Sequence, residues 1–83
     1  MNKKKTEKEE AFDFFCKILD EEYEEVFHKP LNHDVKNTEL YKQKVLYFSC
    51  LFSEKQKLFN TFNNWQAWVK GPVEVDIHNY MKR

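Results

Sequence analysis

Gly71 is the only glycine in this 83-residue chain, and Pro30 and Pro72 are its only prolines. That scarcity constrains the fold more than any other feature. Hairpins and sandwich corners are built from Gly, Pro and Asn-Gly turns, so a chain with three such residues has few means of reversing between strands. Helices joined by a small number of loops are what remain. The length allows one small domain, 1–83, whose core must be dense because a short chain buries only a modest share of its surface. Eight Phe, four Tyr and two Trp supply that density.

Phe12, Phe15, Leu19, Tyr23 and Val26 recur at three- and four-residue steps, with Ile18 and Phe27 widening the stripe. They predict a helix over 7–27, preceded by a flexible basic tail over 1–6. The helix's other face is acidic through Asp13, Asp20, Glu21, Glu24 and Glu25. Glu24 and Glu25 stand at its carboxyl end, against the macrodipole, so packing must hold that turn. Pro30 closes the helix, and residues 30–37 read as a loop. Asn37 or Thr38 is placed to cap a second helix over 38–52. From Val45 to Phe52 that helix is apolar nearly all round, which makes it either central to the core or part of an interface, with core the favoured reading.

Over 53–68 the reading is divided. Leu58, Phe62, Trp65 and Val69 keep helical spacing, but Asn60, Asn63 and Asn64 are poor helix formers. A short extended segment around 62–68 is the alternative. Gly71-Pro72 then reads as an N-cap and first residue of a last helix, with Val73, Ile77, Tyr80 and Met81 on one stripe and Glu74 and Asp76 in its first turn. The expected fold is mostly α: a compact bundle of three to four helices, with room for a short extended segment before Gly71.

Formal charge is zero, which removes the simplest argument for nucleic acid. The distribution is uneven. Residues 1–29 carry six Lys against nine acids, a net of −3, and residues 30–83 carry eight basic against five acidic residues, a net of +3. Cys16 and Cys50 sit among aromatic and aliphatic neighbours and read as core thiols, not nucleophiles. Neither belongs to a CxxC pair, and His28 and His33 lack the spacing of a zinc site, so neither metal nor cofactor is expected. A single glycine cannot build a phosphate loop. Trp65, Trp68 and Lys70 are the one cluster with the makings of a single-strand stacking platform, and the zero net charge weighs against it. No apolar run approaches the roughly 18 residues of a membrane span, and no secretory leader is legible, so a cytoplasmic location is expected. Together these readings point to binding, not catalysis.

Two segments carry a resemblance. Pro30-Leu31 through Thr38, followed by Leu40-Tyr41-Lys42-Gln43-Lys44-Val45-Leu46-Tyr47-Phe48, resembles the opening of the Panacea family, the SocA-like, phage-associated antitoxin domains. Trp65-Gln66-Ala67-Trp68-Val69-Lys70-Gly71-Pro72-Val73 is similar to that family's Ala-Trp-x-x-Gly-Pro-Val, with Asp76, Ile77, His78 and Tyr80 where its next helix begins. Lys70 stands where the family usually has an aromatic residue, and family members continue beyond this helix, so the resemblance is to a truncated or minimal member. It implies a protein that neutralises a toxin by direct contact. The phage association also leaves an anti-defence inhibitor, of the anti-CRISPR kind, as the alternative.

Either function requires an exposed patch of large side chains with a polar rim. The candidates are Trp65, Trp68, Lys70, Tyr80 and the acidic face through Glu21, Glu24 and Glu25. For Trp68 the favoured reading is nonetheless a core position beneath the Gly71-Pro72 turn, and Trp65 is divided evenly between core and surface. Apolar surface left uncovered calls for a protein target or a second copy of the chain.

Overall fold

The computed structural model describes residues 4–83, which are mostly helical. The chain divides into two compact units, Met1–Thr38 and Glu39–Arg83.

The first unit consists of α1 (Glu7–Phe27) and the single turn α2 (Leu31–Asp34). Thr6 starts α1 with a capping box: its hydroxyl accepts from the Glu9 N–H at 3.1 Å, and the Glu9 carboxylate accepts from the Thr6 N–H at 3.0 Å. Lys5 pairs with Asp13 at 2.6 Å. Of the tail expected over 1–6, residues 4–6 precede the helix and are exposed, and the first three lie outside the described residues. At the other end His28 turns left-handed at φ 59° and donates its N–H to the Glu24 carbonyl, an αL cap. No basic residue stands in the last turn. Glu24 and Glu25 thus oppose the dipole, as their positions implied.

Phe12 and Tyr23 from the expected stripe are buried, and Phe15 and Leu19 partly so. Val26, Ile18 and Phe27 are exposed, which corrects the expected width of the stripe. The reason is the path of the chain after Pro30. Residues 30–37, expected as a loop, contain α2, with the Asp34 N–H donating to the Pro30 carbonyl and the Val35 N–H to that of Leu31. The Tyr23 hydroxyl hydrogen-bonds the Asp34 carboxylate, so α2 folds back on the Tyr23 side of α1. Val26 is left 62% exposed.

The second unit takes nearly all of α3 (Thr38–Phe52), then a 3₁₀ turn (Glu54–Gln56), the single turn α4 (Leu58–Thr61), β1 (Trp65–Trp68), β2 (Gly71–Glu74) and α5 (Val75–Met81). α3 has the expected span but not the expected environment. Leu46 and Cys50 are fully buried, whereas Phe48 is exposed, and Phe52 is 83% exposed and stacked on it. The two pairs are each spaced i, i+4 and lie about 200° apart round the helix, so neighbours that cover one leave the other open.

The divided segment 53–68 resolves into three pieces. The Ser53 hydroxyl donates to the Cys50 carbonyl at 2.7 Å and accepts from the Leu58 N–H at 3.2 Å. Between these anchors Lys55 and Gln56 take left-handed φ of 53° and 55°, which ends any continuous helix. The extended segment is real and pairs antiparallel with a second strand, in the register Trp65 with Glu74 and Trp68 with Gly71. Gly71-Pro72 therefore opens β2 and not the last helix. Glu74 caps α5 instead, its carboxylate accepting from the Ile77 N–H at 3.1 Å.

The ladder explains why Pro72 is tolerated. Val75 N–H donates to the Asn64 carbonyl at 2.8 Å, so those residues face each other through hydrogen bonds. Antiparallel pairs alternate, which makes Trp65–Glu74 and Ala67–Pro72 the non-hydrogen-bonded pairs. The missing N–H of Pro72 would have pointed away from β1.

Candidate protein-binding surface

α3 holds the hairpin in place from the side. Gln43 is buried and uses its amide like a short piece of strand: Nε2 donates to the Glu74 carbonyl at 3.1 Å, and Oε1 accepts from the Glu74 N–H at 3.0 Å. One residue on, the Lys44 ammonium donates to the Lys70 carbonyl in the turn at 3.0 Å. The Glu74 carboxylate is itself buried and bonds main chain on both sides, Ile77 N–H through Oε1 and Asn64 N–H through Oε2 at 3.1 Å. The hairpin is thus fixed at its base by Glu74 and at its tip by Lys44.

That support presents Trp68, Val69 and Lys70 outward. Trp68 is 42% exposed and Val69 is fully exposed. The Trp68 indole N–H donates to Gln66 Oε1 at 3.1 Å, and its ring meets His78 of α5 edge-on at 4.9 Å. Trp68 is therefore a surface residue held in one orientation, not a core residue beneath the turn. A large aromatic ring fixed before binding loses little entropy on contact, the property of an interface anchor. The tip is cationic through Lys70 and Lys44.

The other expected site residues are placed as follows. Trp65 lies on the opposite face of β1 from Trp68, as the period of two requires. It is half-buried, packs edge-on against Tyr47 at 5.3 Å and Phe59 at 6.1 Å, and donates its indole N–H to the Phe62 carbonyl at 2.6 Å. Its role is to seat the strand, which removes it from the exposed patch. Tyr80 is half-buried with the Arg83 guanidinium over its ring at 5.5 Å. It stands two residues from His78, about 200° round α5, and so faces away from Trp68. Glu21, Glu24 and Glu25 are all exposed on α1, in the other unit. Within the second unit, Trp68 and Lys70 thus share the hairpin tip, while Trp65 and Tyr80 face elsewhere.

Three residues were not among the candidate site residues. His78, read only as a family position, orients Trp68. Phe48 and Phe52 form an exposed aromatic stack on α3, and the signal was present in a helix apolar on every side, which a small chain cannot cover completely.

Cys50 is buried without a solvent path to its sulfur, and Cys16 is partly exposed. Desolvation, reinforced by the neighbouring Glu74 carboxylate, raises the Cys50 thiol from 9.0 to about 11, so it stays protonated at neutral pH. Among the described residues no three His, Cys, Asp or Glu side chains gather where they could hold a metal ion, and no helix is long and apolar enough to cross a membrane. Comparisons with protein-family models, curated proteins and solved structures return no match.

Proposed function

We propose that this chain inhibits a target protein by binding it directly, in the manner of an antitoxin, and that the Trp68-Val69-Lys70 tip is the principal contact. The observation that carries the reading is the combination at that tip. Two large apolar side chains stand in solvent on a hairpin braced by Gln43 and Lys44, and the indole is already held by Gln66 and His78. An exposed Val and Trp contribute nothing to the core in this position. Buried at an interface, an anchor of this kind is worth about 2 kcal/mol or more, roughly a 30-fold change in affinity. The lysines at the tip suit an acidic rim on the target. The resemblance of the two sequence segments to the Panacea antitoxins points to a toxin as the target class.

The test is growth rescue. The chain is co-expressed with the toxic product of a gene adjoining its own, and affinity is measured with the purified pair. Rescue is expected from the natural chain, with at least a ten-fold loss of affinity in Trp68→Ala and Val69→Asp and unchanged circular dichroism. Rescue that survives both substitutions assigns the contact elsewhere. No toxic neighbour, combined with restored phage growth against a host defence system, replaces the antitoxin reading with the anti-defence one.

A further inference from the structure

We propose that β1 pairs with β1 of a second copy, antiparallel about a two-fold axis at Gln66, to make a continuous four-stranded sheet. The two edges of the hairpin are treated oppositely. On β2, the outward positions are Pro72, which has no N–H, and Glu74, whose N–H and C=O are both taken by Gln43. That edge is closed to further strands. On β1 the outward groups are the N–H and C=O of Trp65 and Ala67, by the alternation that the Glu74 and Val75 bonds establish. No described residue bonds them, and Gln66, Ala67 and Trp68 are exposed. β1 is short, at four residues, but carries no charge, no proline and no bulge in Trp65-Gln66-Ala67-Trp68.

A second copy fits this edge in one register. Hydrogen-bonded pairs must use the outward residues, so Trp65 faces Ala67 of the second copy, and the reverse, giving four main-chain bonds. Gln66 then faces Gln66 of the second copy. Each consequence is favourable. The large Trp65 meets the small Ala67, so no two bulky groups compete for one place on that face. Trp68 uses Gln66 Oε1, which leaves both Gln66 Nε2 hydrogens to donate across the axis. The strand is uncharged, so no like charges are brought together. The pairing leaves both Trp68 rings on one face of the sheet, so the dimer would offer its target two anchors in place of one. It does not depend on what that target is.

The test uses the full chain in sedimentation velocity at rising concentration, with site-specific crosslinking. The natural chain is expected to double its mass below about 1 mM, the weak end of specific association. Ala67→Pro removes an outward N–H without touching the bonds to β2 and should keep the chain monomeric, with unchanged circular dichroism. Should that variant fold poorly, Gln66→Lys serves instead: it places two ammonium groups on the axis, and its dimer should weaken at low salt and recover at high salt. Gln66→Cys sits at a non-hydrogen-bonded pair, with Cα atoms about 4.5 Å apart, and should form a dimer disulfide on mild oxidation. Ala67→Cys, offset from its equivalent, should crosslink no faster than the natural chain with Cys16 and Cys50. A chain that stays monomeric at every concentration overturns the proposal, and so does a dimer that crosslinks through Ala67→Cys but not Gln66→Cys. A dimer untouched by Ala67→Pro and Gln66→Lys overturns it as well.

Discussion

At the outer edge of β2, the buried Glu74 N–H and C=O would lose the partners that Gln43 gives them if residue 43 were apolar. Gln43 supplies one donor and one acceptor in the spacing of a peptide group, and the edge is satisfied by a side chain 31 residues away. Leaving a buried main-chain group unpaired costs about 1–3 kcal/mol, so Gln43→Ala should destabilise the second unit by about 2–5 kcal/mol. Urea unfolding followed by Trp fluorescence measures it directly. Lys44→Ala, which removes an exposed bond to the same hairpin, should cost no more than about 0.5 kcal/mol. Equal losses from the two would show that the buried amide has no special role. Cys50 makes a second test at this scale. Its native thiol titrates near 11 and its unfolded thiol near 9, so the unfolded chain releases its proton first. Stability is therefore fully present below pH 9 and falls as pH rises towards 11, by at most about 3 kcal/mol. The downward slope of unfolding free energy between pH 8 and 10 should be shallower in Cys50→Ala than in the natural chain.

Among the elements, α1 and α3 are legible in the sequence because their determinants are local. Phe12 to Tyr23 keeps helical spacing, Thr6 and Glu9 sit three apart as a capping box needs, and Pro30 and Thr38 bound the two spans. The hairpin is not legible in that way. Trp65-Gln66-Ala67-Trp68 shows no alternation of apolar and polar residues, and what makes it a strand is pairing to β2 and support from α3. Gly71-Pro72 fits a helix start as well as a strand start, and only the tertiary bonds of Glu74 choose between them. The candidate surface was legible in kind but not in grouping: Trp68 and Lys70 stood out as side chains, while the placement of Trp65 inward follows from the strand and that of Tyr80 from its position round α5. Gly71 itself can be tested. Its φ of 125° lies where an L side chain is strained, while a Cβ there would meet nothing nearer than the flexible Lys44 ammonium at 3.5 Å. Gly71→Ala should thus cost about 1–3 kcal/mol through backbone strain, with the loss confined to the hairpin. Hydrogen exchange should show faster opening of the Gln66 and Trp68 amides, with α1 amides unchanged. A melting temperature equal to that of the natural chain would contradict the assigned turn geometry.

For the whole molecule, the balance of zero conceals two halves of opposite sign, −3 over residues 1–29 and +3 over 30–83. Zero net charge gives no general attraction to any partner, so long-range steering must come from local fields. Glu21, Glu24 and Glu25 are exposed on one stretch of α1, where they help stability little and oppose the dipole at its end. Reversing all three to Lys changes the formal charge from 0 to +6. It should leave the fold intact or raise the melting temperature slightly, since Lys suits a helix carboxyl end. The association rate with a target that meets this face should fall by roughly ten-fold at low salt. The difference should vanish near 1 M salt, where the screening length is about 3 Å. Stopped-flow mixing across that salt range separates steering from contact, because a lost contact would appear in the dissociation rate at every salt concentration. Association rates that match the natural chain at low salt would remove the acidic face from the binding process and leave the hairpin tip as the surface that acts.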